Sequence, residues 1–355
     1  MDIEDLKRKL AYINCYTKEI NIMEVCGTHT MSIGKNGIRD LLSPNINLLS
    51  GPGCPVCVTP DHYIDYIYDL ALNKECIIAT YGDMIRVPGS TRSISLEKAK
   101  AFGADVRMVY SSMDAVRLAR QNHGKKVVFL GIGFETTTPA TAIAIKEAEK
   151  SQIHNFYVLS MHKRIEPVMR ALLEDKDLRI DAFLCPGHVA VIIGEDGFKF
   201  LEEYNCVSAI AGFETEEIID GLYFIVKDLI SGGRCIKNAY GTLVSKEGNN
   251  AAKEIIGEVF ESRYDYWRGL GMIESSGYKL KASFKDHDIE ALYPVNNDNV
   301  NKKDIGCRCG EVLKGKIKPE ACILFGKTCT PESPVGPCMV SGEGSCAARF
   351  RYGSY

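Results

Sequence analysis

Between residues 20 and about 230 one unit recurs along the chain. A short apolar, β-branched run ends in a loop of small or polar residues, and an amphipathic stretch follows. The apolar runs are 19–25 "EINIMEV", 46–50 "INLLS", 76–81 "CIIATY", 106–110 "VRMVY", 126–132 "KVVFLGI", 156–160 "FYVLS", 182–185 "AFLC" and 207–211 "VSAIA". Runs this short and this apolar suit strands covered on both faces, and the amphipathic stretches suit the covering helices. After each strand the chain must cross a sheet face before it can start another, so alternation implies parallel sheets of βαβ units. Helix signals fit this pattern. In "TPDHYIDYIYDLAL", Thr59 reads as the N-cap with Pro60 at the first helical position, and "SMDAVRLARQ" follows the 106–110 run.

The runs predict about eight strands, and the reading adopted is two sheets of about four. A short internal echo, "GIGFETTTPATAIAI" against "AGFETEEIIDGLYFI", places Gly-Phe-Glu-Thr between strand and helix twice. The polar, turn-rich "NHGK" at 122–125 divides the region into an α/β domain over 20–122 and a second over 123–234. Residues 1–19 are assigned with 235–355 to a third, C-terminal domain. There "EVFESRYDYWRGLGMIESSGYKL" reads as a helix and a turn, and the last fifty or so residues are rich in Gly, Pro and Cys. A segment with so few periodic apolar positions builds little core and needs a staple.

Composition narrows the function classes. The net charge is −3 and the charges are spread along the chain, so there is no nucleic-acid footprint. The N-terminus lacks a signal-peptide core, and no run approaches the roughly 18 apolar residues of a membrane span. A cytoplasmic location is expected. In that reducing compartment fourteen cysteines are poorly explained by structural disulfides. Cys15, Cys76, Cys206 and Cys235 read as buried small hydrophobes; the others cluster.

The first cluster lies in the loops that end the strands, where ligands of parallel sheets gather. These loops are "CGTHT" (Cys26, His29), "GPGCPVC" (Cys54, Cys57), "GDMIR", "GFETTT" (Glu135), "MHKR" (His162) and "CPGHV" (His188). Two chemistries fit. Cys-x-x-His with Cys-x-x-Cys could close a tetrahedral zinc site. Alternatively, Cys54 and Cys57 cycle between dithiol and disulfide, while Cys26 is a separate thiolate for a soft metal or covalent adduct, tuned by His29. Neighbouring helix N-termini are expected to favour thiolate. Glu135 is a candidate for chemistry or for capping, Glu214 is read as a cap, and His188 is a candidate because its loop repeats the strand-end setting.

The second cluster is Cys307, Cys309, Cys322, Cys329, Cys338 and Cys346, six thiols over about forty residues. A thiolate-bound iron–sulfur cluster is favoured over zinc, because the one close pair is Cys-x-Cys. Six thiols exceed four ligands, which leaves two for a further redox pair.

Together "CGTHT", "GPGCPVCVTP", "GFETTTPATA", "CPGHV" and the tail from "CRCGEVLKGK" through "GKTCTP" and "PVGPCMVS" to "EGSCAA" resemble the hydrogenase maturation factor HypD family, in order and over essentially the whole chain. The resemblance implies two Rossmann-like α/β domains plus a small cysteine-rich iron–sulfur domain. It implies a metallocentre assembly factor for the Fe(CN)2CO group of nickel–iron hydrogenases, with a HypC-like small chaperone and a HypE-like cyanide donor as partners. By the same resemblance Cys26 holds the iron with His29 nearby, and Cys54 and Cys57 form the redox pair. Cys309, Cys322, Cys329 and Cys346 bind a [4Fe–4S] cluster, and Cys307 and Cys338 remain as a second pair. An iron–sulfur-dependent thiol-disulfide oxidoreductase is the alternative. No Walker-type phosphate loop is present.

Overall fold

The computed structural model describes residues 3–233, 236–295 and 306–353. All eight expected runs form strands: β1 (Ile20–Glu24), β2 (Ile46–Ser50), β3 (Cys76–Thr80), β4 (Val106–Met108), β5 (Lys126–Gly133), β6 (Phe156–His162), β7 (Ala182–Pro186) and β8 (Val207–Ala211). A short β9 (Ile236–Asn238) and two longer strands, β10 (Phe260–Trp267) and β11 (Gly271–Leu280), follow.

The strands form two parallel sheets and a hairpin. The first sheet has the order β2-β1-β7-β8-β9, and the second β4-β3-β5-β6. The division at 122–125 is therefore corrected. The chain begins one sheet, leaves it after β2, builds the whole second sheet from 76 to 162, and returns to finish the first. β7 returns to β1, with Ala182, Phe183 and Leu184 in register beside Ile22, Met23 and Glu24. The N-terminal helix Ile3–Asn14 also belongs with the first sheet and not with the tail. It packs on the helix Thr215–Ser231, and Tyr12 meets Tyr223 edge-on at 5.1 Å.

In a parallel sheet whose chain winds first one way and then the other, the point of reversal leaves a crevice at the carboxyl edge. In the first sheet that point lies between β1 and β7, and in the second between β3 and β5.

Two local expectations are corrected. Thr59 does not cap the helix Asp61–Leu72; Pro60 holds the N-cap position, and Thr59 Oγ1 donates to Pro55 O at 2.9 Å, closing a separate helical turn, Pro55–Val58. The segment "EVFESRYDYWRGLGMIESSGYKL" is the end of the helix Asn250–Val259 followed by the antiparallel β10–β11 hairpin. Aromatic residues suit a pleated surface, and Gly269 and Gly271, both at positive φ, supply the turn.

The hairpin is fastened to the second sheet. Arg164 N–H donates to Ser276 O at 2.8 Å. Lys163, wholly buried after β6, forms an ion pair with Asp265 at 2.7 Å. The tail, 306–353, is made of short turns and ends in the helix Ser345–Tyr352, which lies against the helix Gly27–Lys35. Among the described residues no helix is long and apolar enough to cross a membrane.

Candidate functional site

A cavity of about 350 Å³ opens where the switch points of both sheets face each other. Cys26 and Thr28 come from the loop after β1, Cys54 and Pro55 from that after β2, and His188 from that after β7. Tyr81, Asp83 and Met84 follow β3, and Gly133, Thr136 and Thr137 follow β5. The tail contributes Ser341 and Glu343.

Glycine lets the two cysteine loops touch. Gly51 N–H donates to Glu24 O at 2.7 Å, and Gly27 N–H donates to Gly53 O at 3.2 Å. A Cβ on Gly53 would lie 2.1 Å from Cys26 N, so the loop bearing Cys54 rests on the backbone of Cys26. The tail clamps this arrangement on both sides. Thr28 Oγ1 donates to Glu343 Oε1 at 2.8 Å, and Ser341 Oγ donates to Asp83 Oδ2 at 2.7 Å.

Cys26 occupies the N-cap position of the helix Gly27–Lys35, but the expectation of a thiolate is reversed. Burial pushes its thiol up to about 12; the N–H groups of His29 and Thr28 oppose this, and the carboxylates of Glu343 and Glu24 add to it. Desolvation of the charge outweighs the helix-end donors. Glu24, buried beneath the loop, is itself raised to about 7 by burial.

His29 is wholly buried and does not line the cavity. Its Nε2 meets Gly212 O at 2.8 Å, and burial lowers it to about 4, so it is neutral. It ties the loop after β1 to the loop after β8, with Phe213 stacked between it and His188 at centroid distances of 4.7 and 4.1 Å. His188 is the imidazole that reaches the cavity. Glu135 turns away from the cavity: its Oε1 accepts from Ile165 N–H at 3.0 Å at the start of another helix, Ile165–Glu174. Burial raises Glu135 to about 7. Glu214 caps the helix Thr215–Ser231 reciprocally with Glu217. His162 is buried between Thr141 and Ser160.

Cys54 is the N-cap of the helical turn Pro55–Val58, which itself contains Cys57, and Cys54 Sγ accepts from Cys57 N–H at 3.4 Å. Cys54 lines the cavity; Cys57 is wholly buried and faces Cys338. Cys338 in turn faces Cys309, and Cys309 faces Cys307. The thiols thus run from the cavity into the tail. Burial raises Cys57 well above the ordinary thiol range. Cys26, His29, Cys54 and Cys57 do not converge on one point, and among the described residues no group of three or more His, Cys, Asp or Glu side chains is arranged to hold a metal ion.

All six tail cysteines line a second, smaller pocket, walled by Val312, Leu324, Phe325 and Met339. Cys346 is close to Cys307, Cys329 and Cys322, and Cys329 to Cys307 and Cys322. Val335 N–H donates to Cys329 Sγ at 3.3 Å, and a Cβ on Gly336 would lie 2.5 Å from Cys307 Sγ. Elsewhere Cys15 is exposed, Cys76 and Cys206 are buried as expected, and Cys235 lies outside the described residues.

The profile of the HypD family, described as "Hydrogenase formation hypA family", matches residues 2–353. The chain belongs to the HypD family. The hydrogenase maturation factor HypD of Escherichia coli K12 is 45% identical over 354 residues, 99% of this chain and 94% of that one. HypD of Rhodobacter capsulatus is 44% identical over 341 residues (95% and 90%), and HypD of Cupriavidus necator is 42% identical over 343 residues (94% and 90%).

Sequence reasoning missed Asp83, Ser341, Glu343 and Gly53 as parts of the cavity wall. Gly53 stood inside a noted motif, but no local pattern in "SGEGSC" indicates that Ser341 and Glu343 bridge two sheets.

Proposed function

We propose that the protein acts in hydrogenase maturation by assembling the Fe(CN)2CO group, with the iron cargo held at Cys26 and Cys54/Cys57 as the two-electron donor that frees cyanide. The observation that carries this reading is the single cavity shared by Cys26 and Cys54, with Cys57 leading away from it. Cyanide carried as a thiocyanate on a HypE-like donor is released reductively: R–SCN plus the two thiols gives R–SH, HCN and the Cys54/Cys57 disulfide. Two electrons leave the dithiol and two enter the S–CN bond. HCN then yields its proton and binds iron delivered with a HypC-like chaperone.

Cys26 stays protonated until a cation enters, so iron binding there releases a proton. The side chains of Glu343 and Asp83 line the wall where the cation would enter, and His188 offers an exposed imidazole there. His29 is a positioning residue for the Cys26 loop through Gly212. Glu135 acts through the second sheet's helix ends and not on the cargo.

The disulfide is reset by exchange. Cys338 attacks Cys57 and releases Cys54; Cys309 then attacks Cys338 and releases Cys57. Two electrons pass from one pair to the other, and nothing else is consumed.

The tail pocket's donor set fits a [4Fe–4S] cluster: it is all thiol, lined by apolar side chains, and spread around a space, as a cube of several atoms requires. Cys307, Cys322, Cys329 and Cys346 are the favoured ligands. This departs from the expected set at one position: Cys309 touches both Cys307 and Cys338, and because Cys338 also faces Cys57 while Cys307 lies by Cys329 and Cys346, Cys309 is assigned to the exchange pair and Cys307 to the cluster. When bound, the cluster supplies electrons singly.

Infrared spectra of the anaerobic complex with the HypC-like partner test the assembly role. CO and CN stretching bands that vanish in Cys26→Ala are expected. Their absence from the native complex, with Cys54/Cys57 exchange intact, would leave the thiol-disulfide oxidoreductase in its place.

A further inference from the structure

We propose that residues 267–269, at the turn of the β10–β11 hairpin, are a positioning element that holds the Cys54/Cys57 pair and the Cys309/Cys338 pair at exchange distance. This rests on the relay described above. Three consecutive residues of the turn are pinned to three different parts of the molecule.

Trp267 anchors the turn to the second sheet. It is wholly buried, its Nε1 donates to Ser276 Oγ at 2.8 Å, and its ring lies 5.9 Å from Phe134 of the cavity wall. Lys163 Nζ lies 5.5 Å over the same ring. Arg268 anchors the turn to the first cysteine pair: its backbone N–H donates to Val58 O at 2.9 Å, the residue after Cys57. Its guanidinium is buried as well, with Nη1 donating to Pro88 O at 3.2 Å.

Gly269 anchors the turn to the second pair. It has φ +79° and meets Gly310, the residue after Cys309, backbone to backbone. A Cβ on Gly269 would lie 2.3 Å from Gly310 Cα, and one on Gly310 would lie 2.7 Å from Gly269 Cα. No side chain intervenes, so the hairpin sets the height of Cys309 above the helical turn of Cys57. The turn Pro337–Met339, which carries Cys338, packs on that same helical turn.

Disulfide geometry tolerates little error: the Cα atoms must come within about 4.4–6.8 Å with the Cβ vectors turned inward. A methyl at Gly310 must move its neighbour from 2.7 Å out to ordinary contact at 3.4 Å, and one at Gly269 from 2.3 Å. The cavity, the Cys54/Cys57 turn and the tail pocket each keep their own contacts. What changes is the step between the pairs.

The test uses the anaerobically purified full chain, reduced and then given a brief pulse of diamide. Diamide takes two electrons and two protons from a thiol pair. Alkylation and mass mapping then follow the disulfide with time. In the native protein it passes from Cys54/Cys57 to Cys309/Cys338. In Gly269→Ala and Gly310→Ala transfer to Cys309/Cys338 slows at least tenfold, so the disulfide lingers at Cys54/Cys57. Gly271→Ala is the control: its φ of +90° makes it comparably strained, but nothing lies within 4 Å of the added Cβ, so transfer stays native. Gly310→Ala lies in a helix, where alanine is favoured, and carries the test if Gly269→Ala does not fold. Native transfer rates in both variants would overturn the positioning role and leave the relay standing. No transfer in the native protein would overturn the relay and this inference with it.

Discussion

Gly53→Ala puts the contact between the two cysteine loops to a quantitative test. The new methyl would sit 2.1 Å from Cys26 N, 2.2 Å from Val25 C and 2.4 Å from Cys26 Cα, all backbone atoms that no rotamer can move aside. Separation of the loops is the only relief. Overpacking of this kind costs about 1–3 kcal/mol. Separation also strains the bond from Gly27 N–H to Gly53 O at 3.2 Å, worth about 0.5–1.5 kcal/mol. Together the loss is on the order of 2–4 kcal/mol. At about 2–4 °C per kcal/mol for a domain of 150–250 residues, Tm should fall by roughly 5–15 °C. Differential scanning calorimetry against Gly124→Ala, where nothing lies within 4 Å of the added Cβ, measures it. Maturation of hydrogenase in a complemented strain should fall further than stability does, because the same movement parts Cys26 from Cys54. A Gly53→Ala protein with the Tm and maturation yield of Gly124→Ala would refute the close packing of the two loops.

Asp265→Ala strips the partner from wholly buried Lys163 and should cost about 3–5 kcal/mol in denaturant unfolding; a loss under 1 kcal/mol would contradict the pairing. Glu135 is raised from 4.5 to about 7 in the fold, so the native state holds a proton that the unfolded chain releases. Its contribution is complete below about 4.5 and is lost as pH rises through about 7; Tm measured across that window should fall less in Glu135→Gln than in the native protein. Cys26→Ala should abolish iron-centre assembly while leaving the tail chromophore intact, and an unchanged yield of mature hydrogenase would count against it. Cys329→Ala should lose iron and sulfide from the tail, and full iron content in that variant would exclude Cys329 as a ligand.

The strands were legible because each is a local signal: a β-branched run bounded by glycine or polar loops. All eight fell where expected, and parallel pairing followed from the helices between them. Strand order was not legible, since the choice of β7 as the neighbour of β1 is made by packing across more than 150 residues of chain. The β10–β11 hairpin was misread because helix and strand signals adjoin without a break at Val259 and Phe260. In the site, Cys26, Cys54 and His188 were found from their strand-end loops. His29 was found too, but its burial against Gly212 depends on β8, remote in sequence. Glu343 and Ser341 could not be read at all, because their partners Thr28 and Asp83 lie more than 250 residues away.

The central claim is that freeing cyanide oxidises Cys54 and Cys57. It is tested most directly by counting. Anaerobic, fully reduced protein with iron is mixed with a thiocyanate-bearing donor, quenched at intervals and alkylated. Cyanide transferred and Cys54/Cys57 disulfide formed are then measured in the same samples, with Cys309 and Cys338 replaced by serine so that the disulfide cannot move on. The account predicts one disulfide for each cyanide released. Cyanide released while both thiols remain free to alkylation would contradict it.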